Sequence, residues 1–242
     1  MAAKVFLSFG EQIYQTLKER ILNNYYPPGT MLQIEKLAEE MGVSSTPVRE
    51  TLVRLNSVGL VNMVRNRGAM VSAIDEKMVR DVWEFRAILE QCVAREAVPR
   101  IDPKDLHRLR DRIEYHLANP SNFELYQEID QELHELLRDR AENDLVREAL
   151  RNLVEHARRV RYFAESMPPD ENILVEVSKE HLLIVDALLS GKVDDVLRTL
   201  EAHLVHGRDR TLKALSKLSQ PPVVDVASSA PEIPKHRSRK VR

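Results

Sequence analysis

LAEEMGVSSTPVRETLVRLNSVGL, Leu37 to Leu60, holds two helical patterns with a tight turn between them. Gly42 ends the first, Ser44 is placed to cap the second, and Pro47 falls in the second's first turn, where a missing N–H costs nothing. In that second pattern Val48, Leu52 and Leu55 recur at the spacing of one buried face, whereas Ser45, Thr46, Arg49 and Val53 lie on another. Small polar groups and an arginine thus project from its N-terminal end. A helix laid into a major groove needs this layout, because its first turns meet base edges while its back packs on the preceding helix. Gly59 stops it. Leu60 to Val64 and Ala69 to Ala73 then read as short strands joined by Arg65, Asn66, Arg67 and Gly68, a cationic hairpin fit to touch phosphates or enter a minor groove. Candidate contacts to double-stranded DNA are therefore Ser44, Ser45, Thr46, Arg49 and Arg54 on the helix and Arg65, Arg67 and Gly68 on the hairpin.

Toward the N-terminus, Ile13, Leu17 and Ile21 form a stripe within Gly10 to Asn24, and Ser8 with Glu11 makes a candidate capping box. The residues before Phe9 have no periodic pattern and are expected to be mobile. Tyr26-Pro27-Pro28-Gly29 is a turn no helix traverses, and Leu32 to Met41 resumes the helical period. The order expected for residues 8–74 is helix, helix, helix, strand, strand, a winged helix-turn-helix. Pro28 and Gly29, Leu37 and Ala38, Gly42-Val43-Ser44, Thr46-Pro47-Val48-Arg49-Glu50, Leu52, Leu55 and Gly59-Leu60 carry a resemblance to GntR-type bacterial transcription regulators. Many relatives have an arginine where this chain has Ser45 and an acid where it has Ile34, which leaves Arg49 as the principal reader.

The 242 residues suffice for two modest domains, and the few aromatics and glycines favour helices. Residues 1–74 hold 8 Lys and Arg against 6 Asp and Glu, residues 75–218 hold 23 against 30, and residues 219–242 hold 5 against 2. The positive charge is local, with four arginines and one acid between Arg49 and Arg67. That pattern suits a dimer that doubles its contacts rather than one relying on bulk charge. No apolar run spans a bilayer and no signal-peptide pattern opens the chain, so a cytoplasmic location is expected. The single cysteine, Cys92, excludes an internal disulfide, and its apolar surroundings in sequence read as a core position.

After Asp75 the strand signals vanish. Met78, Val82, Phe85, Leu89 and Val93 make an apolar line up to about Val98, and Asp102-Pro103 caps and opens a helix carrying Leu106, Leu109, Ile113 and Leu117. Further helices read as Ser121 to Asp139, Asn143 to Ser166, Glu171 to Ser190 and Val193 to about Leu218. Six helices with short connections imply an antiparallel bundle over residues 75–218. The fold class is thus mainly α. Residues 219–242 are rich in Pro, Ser, Val and Ala, end in KHRSRKVR, and read as a disordered basic tail.

Asp130 and His134 are four apart and share a helix face, as two ligands of one ion must. His181 and His203 each sit among apolar residues on later helices, and buried imidazoles need partners. Three imidazoles and a carboxylate suit zinc, nickel or a similar divalent ion with positions left for water or ligand. His206 competes with His203 for the same face and reads as solvent-facing or as a neighbour of the ligands.

Arg86 with Leu89-Glu90, Asp130 and His134, Glu180-His181, and His203 make the bundle similar to the FCD effector domain of the FadR branch of GntR regulators. The resemblance implies a metal held by Asp130, His134, His181 and His203 with a small organic acid beside it, in a homodimer whose operator affinity the acid controls. Arg86 is then a candidate bidentate clamp for the effector carboxylate, the rival reading being a salt bridge to Glu90 one turn on. Two other functions compete: a metal-dependent hydrolase with Glu180 as base, and a regulator for which the metal itself is the signal. A hydrolase has no use for the reading helix and its hairpin, so no enzyme is expected.

Overall fold

The computed structural model describes residues 8–164 and 170–218. By their contacts these fall into two units, residues 8–14 with 27–72 and residues 15–26 with 73–218, so the first helix contributes to both. The basic tail lies outside the described residues, as does the segment before Ser8.

In the first unit the elements are α1 (Phe9–Leu22), β1 (Met31–Leu32), α2 (Ile34–Met41), α3 (Ser45–Ser57), β2 (Val61–Val64) and β3 (Gly68–Val71). Ser8 Oγ accepts from Glu11 N at 3.2 Å, one half of the expected capping box, while the Glu11 carboxylate accepts from Arg54. The α2–α3 turn forms because Gly42 takes φ 65°, letting Val43 N donate to Ala38 O at 2.9 Å and Gly42 N to Glu39 O at 3.2 Å. Val48, Leu52 and Leu55 are fully buried beneath α3, and Leu37 and Ala38 of α2 are buried with them.

Two expectations need correction here. Ser44 has the backbone conformation of an N-cap, but its side chain makes no capping hydrogen bond. The helical period does not reach back to Leu32: Met31 and Leu32 pair antiparallel with Met70 and Ala69, giving a sheet in the order β1-β3-β2. The cause is long-range, since Gly29 N donates to Val71 O and Val71 N to Thr30 O, both at 2.9 Å, and periodicity along the chain cannot register such pairing. Gly68 shapes this sheet. Its φ is +111°, and a Cβ there would stand 2.1 Å from Leu32 O, so only glycine lets β1 and β3 approach.

The second unit contains α4 (Glu76–Ala97), a 3-10 turn (Val98–Arg100), α5 (Pro103–Ala118), α6 (Phe123–Arg138), α7 (Asp144–Ala164), α8 (Glu171–Ser190) and α9 (Val193–Leu215). These are the six expected helices. Asp75, Asp102, Asn122 and Asp170 cap four of them, each side chain accepting a backbone N–H of the first turn at 2.8–3.0 Å. The core is built from such residues as Val93, Ile113, Ile129, Leu133, Val160 and Ile184.

Helix α4 departs from its expected apolar line. Phe85 is 47% exposed and Cys92 is exposed rather than in the core, whereas Val79, Val82, Trp83, Arg86, Glu90 and Val93 are buried. Two ionised side chains that neutralise one another take core positions, so a reading based on apolar residues alone places Val82 and Val93 rightly but puts Phe85 and Cys92 in the core in place of Arg86 and Glu90.

Candidate metal centre and nucleic-acid interface

On α3 the side not packed against the unit presents Ser44, Ser45, Thr46, Arg49, Glu50 and Val53, all exposed. At the hairpin tip Arg65, Asn66 and Arg67 are exposed; Arg67 N donates to Val64 O at 3.1 Å, and Asn66 accepts the positive φ of the turn at 58°. Asn56 Oδ1 accepts from Met63 N at 3.1 Å, tying the back of α3 to β2. Two expected contacts have other work. Arg54 donates to Glu11 at 3.0 Å with its guanidinium carbon 3.8 Å from the Tyr14 ring centroid, which engages it within the unit. Gly68 is buried, and its part is the sheet geometry given above rather than a surface contact.

In the helical unit α6, α8 and α9 bring His134, His181 and His203 together, all buried, with one nitrogen of each within 4.8 Å of the others. Asp130 joins them: its Oδ1 lies 3.5 Å from His181 Nε2 and 3.9 Å from His134 Nε2, and its Oδ2 accepts from Arg161 at 3.1 Å. The four residues expected to share one site thus converge, from three helices.

The protonation pattern follows from the partners. Arg86 Nη2 lies 2.8 Å from His134 Nε2, and a guanidinium has only donors, so Nε2 is the acceptor and the ring hydrogen sits on Nδ1, 3.0 Å from Glu90 Oε2. His203 Nδ1 lies 2.8 Å from Glu180 Oε2, which leaves its Nε2 lone pair free, whereas that of His134 takes the hydrogen bond from Arg86. Two of the three imidazoles, His134 and His203, are therefore aimed by a carboxylate, the arrangement that fixes metal-ligating histidines. His181 is completely buried, and neither of its ring nitrogens has a hydrogen-bond partner. Leaving such a group unsatisfied costs about 1–3 kcal/mol, and a bound cation would satisfy it. The donor set fits a metal ion.

Electrostatics keep the donors in their ligating forms. Burial foremost, then the neighbouring His203, pushes His181 well below the ordinary imidazole value. Burial also lowers His203, against the opposing pull of Glu180. For Glu90 burial alone would raise the carboxyl, but Arg86 and His134 outweigh it and hold it at about 2. Asp130 is likewise raised by burial and more than compensated by Arg161, His134 and His181, so it stays ionised.

Two expectations change. Arg86 is buried and donates through Nε to Glu90 at 2.5 Å, the rival pairing, and it does not line the cleft beside the triad. That cleft, about 450 Å³, runs between α6 and α7, with Asp130 and His134 in its wall and Tyr126, Arg158, Arg161 and Tyr162 around it. Sequence gave no sign of Arg158 or Arg161, because only helix packing places them there. Glu180 accepts from His203, from His206 at 3.0 Å and from both Nη atoms of Arg210 at 2.7 and 3.0 Å, so it is a pinned orienting group rather than a free base. His206, 57% exposed in its side chain, answers to both parts of its reading, since it faces solvent and touches that carboxylate.

A helix with an exposed reading face, a basic hairpin and an attached bundle enclosing a histidine triad define a DNA-binding regulator of two parts. The sequence matches the FCD domain over residues 81–206 and the family described as bacterial regulatory proteins, gntR family, over residues 9–71. The chain belongs to the GntR family and is a transcriptional regulator with an FCD domain, not an enzyme. It is 30% identical over 197 residues to the HTH-type transcriptional repressor RspR of Escherichia coli (strain K12), covering 80% of this chain and 85% of that one. Its fold is similar to that of E. coli McbR/YncC, with TM-score 0.70 at 20% identity over 86% of this chain and 99% of that chain. The Zn2+-bound FCD domain of TM0439 is similar to the bundle, with TM-score 0.53 at 22% identity over 61% of this chain and all of that chain. Among the described residues no helix is long and apolar enough to cross a membrane.

Proposed function

We propose that this regulator, of the FadR branch, acts in the cytoplasm as a homodimer on a near-palindromic operator, with its affinity set by a small organic acid bound at a metal centre in residues 75–218. Ser44, Ser45, Thr46 and Arg49 read the major groove, and Arg65 and Arg67 grip the backbone or minor groove, all within residues 8–74. Asp130, His134, His181 and His203 hold a zinc or nickel ion. When bound, the ion supplies a positive Lewis-acid centre at the cleft wall. Arg161 and Arg158 line that cleft and favour an anion, and Asp130 and His134 border cleft and triad alike.

The observation that carries this reading is His181, buried with neither ring nitrogen hydrogen-bonded, beside two imidazoles that carboxylates aim at the same space. The cleft that Asp130 and His134 border, with Arg158 and Arg161 in its wall, favours an acid over the metal alone as the signal. The test is titration of labelled operator with Zn2+ and then with a panel of small carboxylates. A response to an acid that needs the metal supports the proposal, and a full response to metal alone refutes it. In the same assay Arg49→Ala abolishes the specific footprint while native mass spectrometry still finds the dimer; an unchanged footprint would remove Arg49 as the reader.

A further inference from the structure

His134 has one nitrogen to offer a metal ion. Its Nδ1 is engaged by Glu90 Oε2 at 3.0 Å, so a bond to the ion must come from Nε2. That nitrogen faces Arg86 Nη2 at 2.8 Å, and both side chains are buried. A guanidinium N–H bonded to Nε2 points at its lone pair, the same lone pair a metal uses. A metal on an imidazole nitrogen stands about 2.0–2.1 Å away. An ion at that distance collides with a nitrogen held at 2.8 Å on the same lone pair, so Nε2 serves the guanidinium or the ion, never both. The repulsion of two cations so close together acts in the same direction.

Arg86 can release Nε2 and keep its other contacts. Its Nε donates to Glu90 Oε1, and its guanidinium carbon lies 5.0 Å from the centre of the Trp83 ring. Trp83 is itself seated on α9, where a Cβ at Gly207, one turn beyond His203, would stand 2.9 Å from the indole. A guanidinium that gives up the Nη2 hydrogen bond therefore retains its counter-charge and its aromatic face. His134 keeps Glu90 in either state, so the ring stays aimed while its partner changes.

We propose that Arg86 is the resident cation of this site and exchanges with the metal: its guanidinium holds His134 Nε2 until an ion displaces Nη2. The inference rests on the metal centre proposed above and adds what must leave before the four residues can close on an ion. One cation takes another's place against His134, so the ion is an exchangeable ligand of a bundle that is folded without it. Its affinity is set by the difference between two bonds to Nε2, and is weaker than the same donors would give without Arg86.

The test is a Zn2+ competition titration against a chromophoric chelator, run on the full chain stripped of metal. Arg86→Ala binds Zn2+ about 5-fold more tightly than the parent, the net contribution of one buried hydrogen bond. That gain is smaller than the loss of about 10–100-fold expected when Glu90 no longer holds His134, so the two residues move the affinity in opposite directions. Methylguanidinium, added below denaturing concentrations, fills the space left by the side chain and returns the variant's affinity toward the parent value, while the parent does not respond. A residue that only supported the fold would give the opposite sign, a weaker site in Arg86→Ala, with no response to methylguanidinium. The parent supplies an independent reading, which decides the question where Arg86→Ala fails to fold. In protein carrying nitrogen-labelled arginine, the protected Nη signals of Arg86 in the NMR spectrum shift and begin to exchange with solvent as Zn2+ binds. A folded Arg86→Ala that binds Zn2+ no more tightly than the parent, or Arg86 signals that stay protected in the Zn2+-bound parent, overturns the exchange and leaves the metal centre standing. A parent chain that binds no Zn2+ overturns both.

Discussion

Replacing Glu90 by Gln tests the support of the metal centre with little change in shape. Glu90 and Arg86 are both about 2% exposed, and Glu90 uses one oxygen for Arg86 and the other for His134. Glutamine offers one acceptor in place of two, and its amide N–H groups would face Arg86 or His134 Nδ1–H, both donors. The variant therefore leaves a buried guanidinium without its counter-charge, a loss of about 3–5 kcal/mol. In a unit of this size that lowers the thermal midpoint on the order of 10 °C. His134 also loses the group that holds its tautomer, which should weaken metal binding by about 10–100-fold. Circular-dichroism melts of the metal-stripped protein and a Zn2+ competition titration measure the two effects separately. The double variant Arg86→Met with Glu90→Leu sharpens the test: an apolar pair removes the stranded charge and recovers most of the stability, while the Zn2+ affinity stays low. If Glu90→Gln melts within about 2 °C of the parent and binds Zn2+ equally well, the buried pair neither anchors the fold nor orients the ligand.

Further outcomes follow from the same site. His181→Leu abolishes Zn2+ binding yet leaves the metal-stripped protein at least as stable as the parent, because the replaced ring has no hydrogen bond to lose; a lower melting midpoint would show that His181 has a structural partner. Acid should destabilise the fold in two stages. His181 and His203 have folded values below the ordinary 6.5, so as the pH drops below that value the unfolded chain takes up protons the fold refuses, and stability falls. Glu90, depressed from 4.5 to about 2, contributes stability that is present above 4.5 and lost as the pH falls toward 2. Urea midpoints measured through this range decline in the parent and decline less steeply near neutrality in His181→Leu; a flat profile between neutral and mildly acidic pH would contradict the buried neutral imidazoles.

The helices were legible because capping residues and a 3.6-residue period are local properties. Asp102 followed by Pro103, and Gly42 between α2 and α3, announce their boundaries to within a residue or two. The four groups of the triad site were legible as chemistry, since histidines set in apolar runs demand partners. The errors have one cause. Where a polar group is buried by pairing with another distant in sequence, or a segment is recruited by a strand forty residues on, no local pattern records it. Arg86 and Glu90 with His134, β1 with β3, and the exposure of Phe85 and Cys92 belong to this kind, whereas the Arg86–Glu90 pair itself, one turn apart, was legible.

By itself the amino-acid order determined which segments are helical, that a reading helix precedes a basic hairpin, and that three imidazoles and an aspartate are set on faces able to meet. Tertiary packing alone decided that they do meet, that Glu90 and Glu180 aim two of the rings, and that Arg158 and Arg161, not Arg86, line the cleft beside them. Helix formation is settled by contacts three and four residues apart, whereas which donor faces which acceptor depends on how separate helices stack, information that resides in no single stretch of chain.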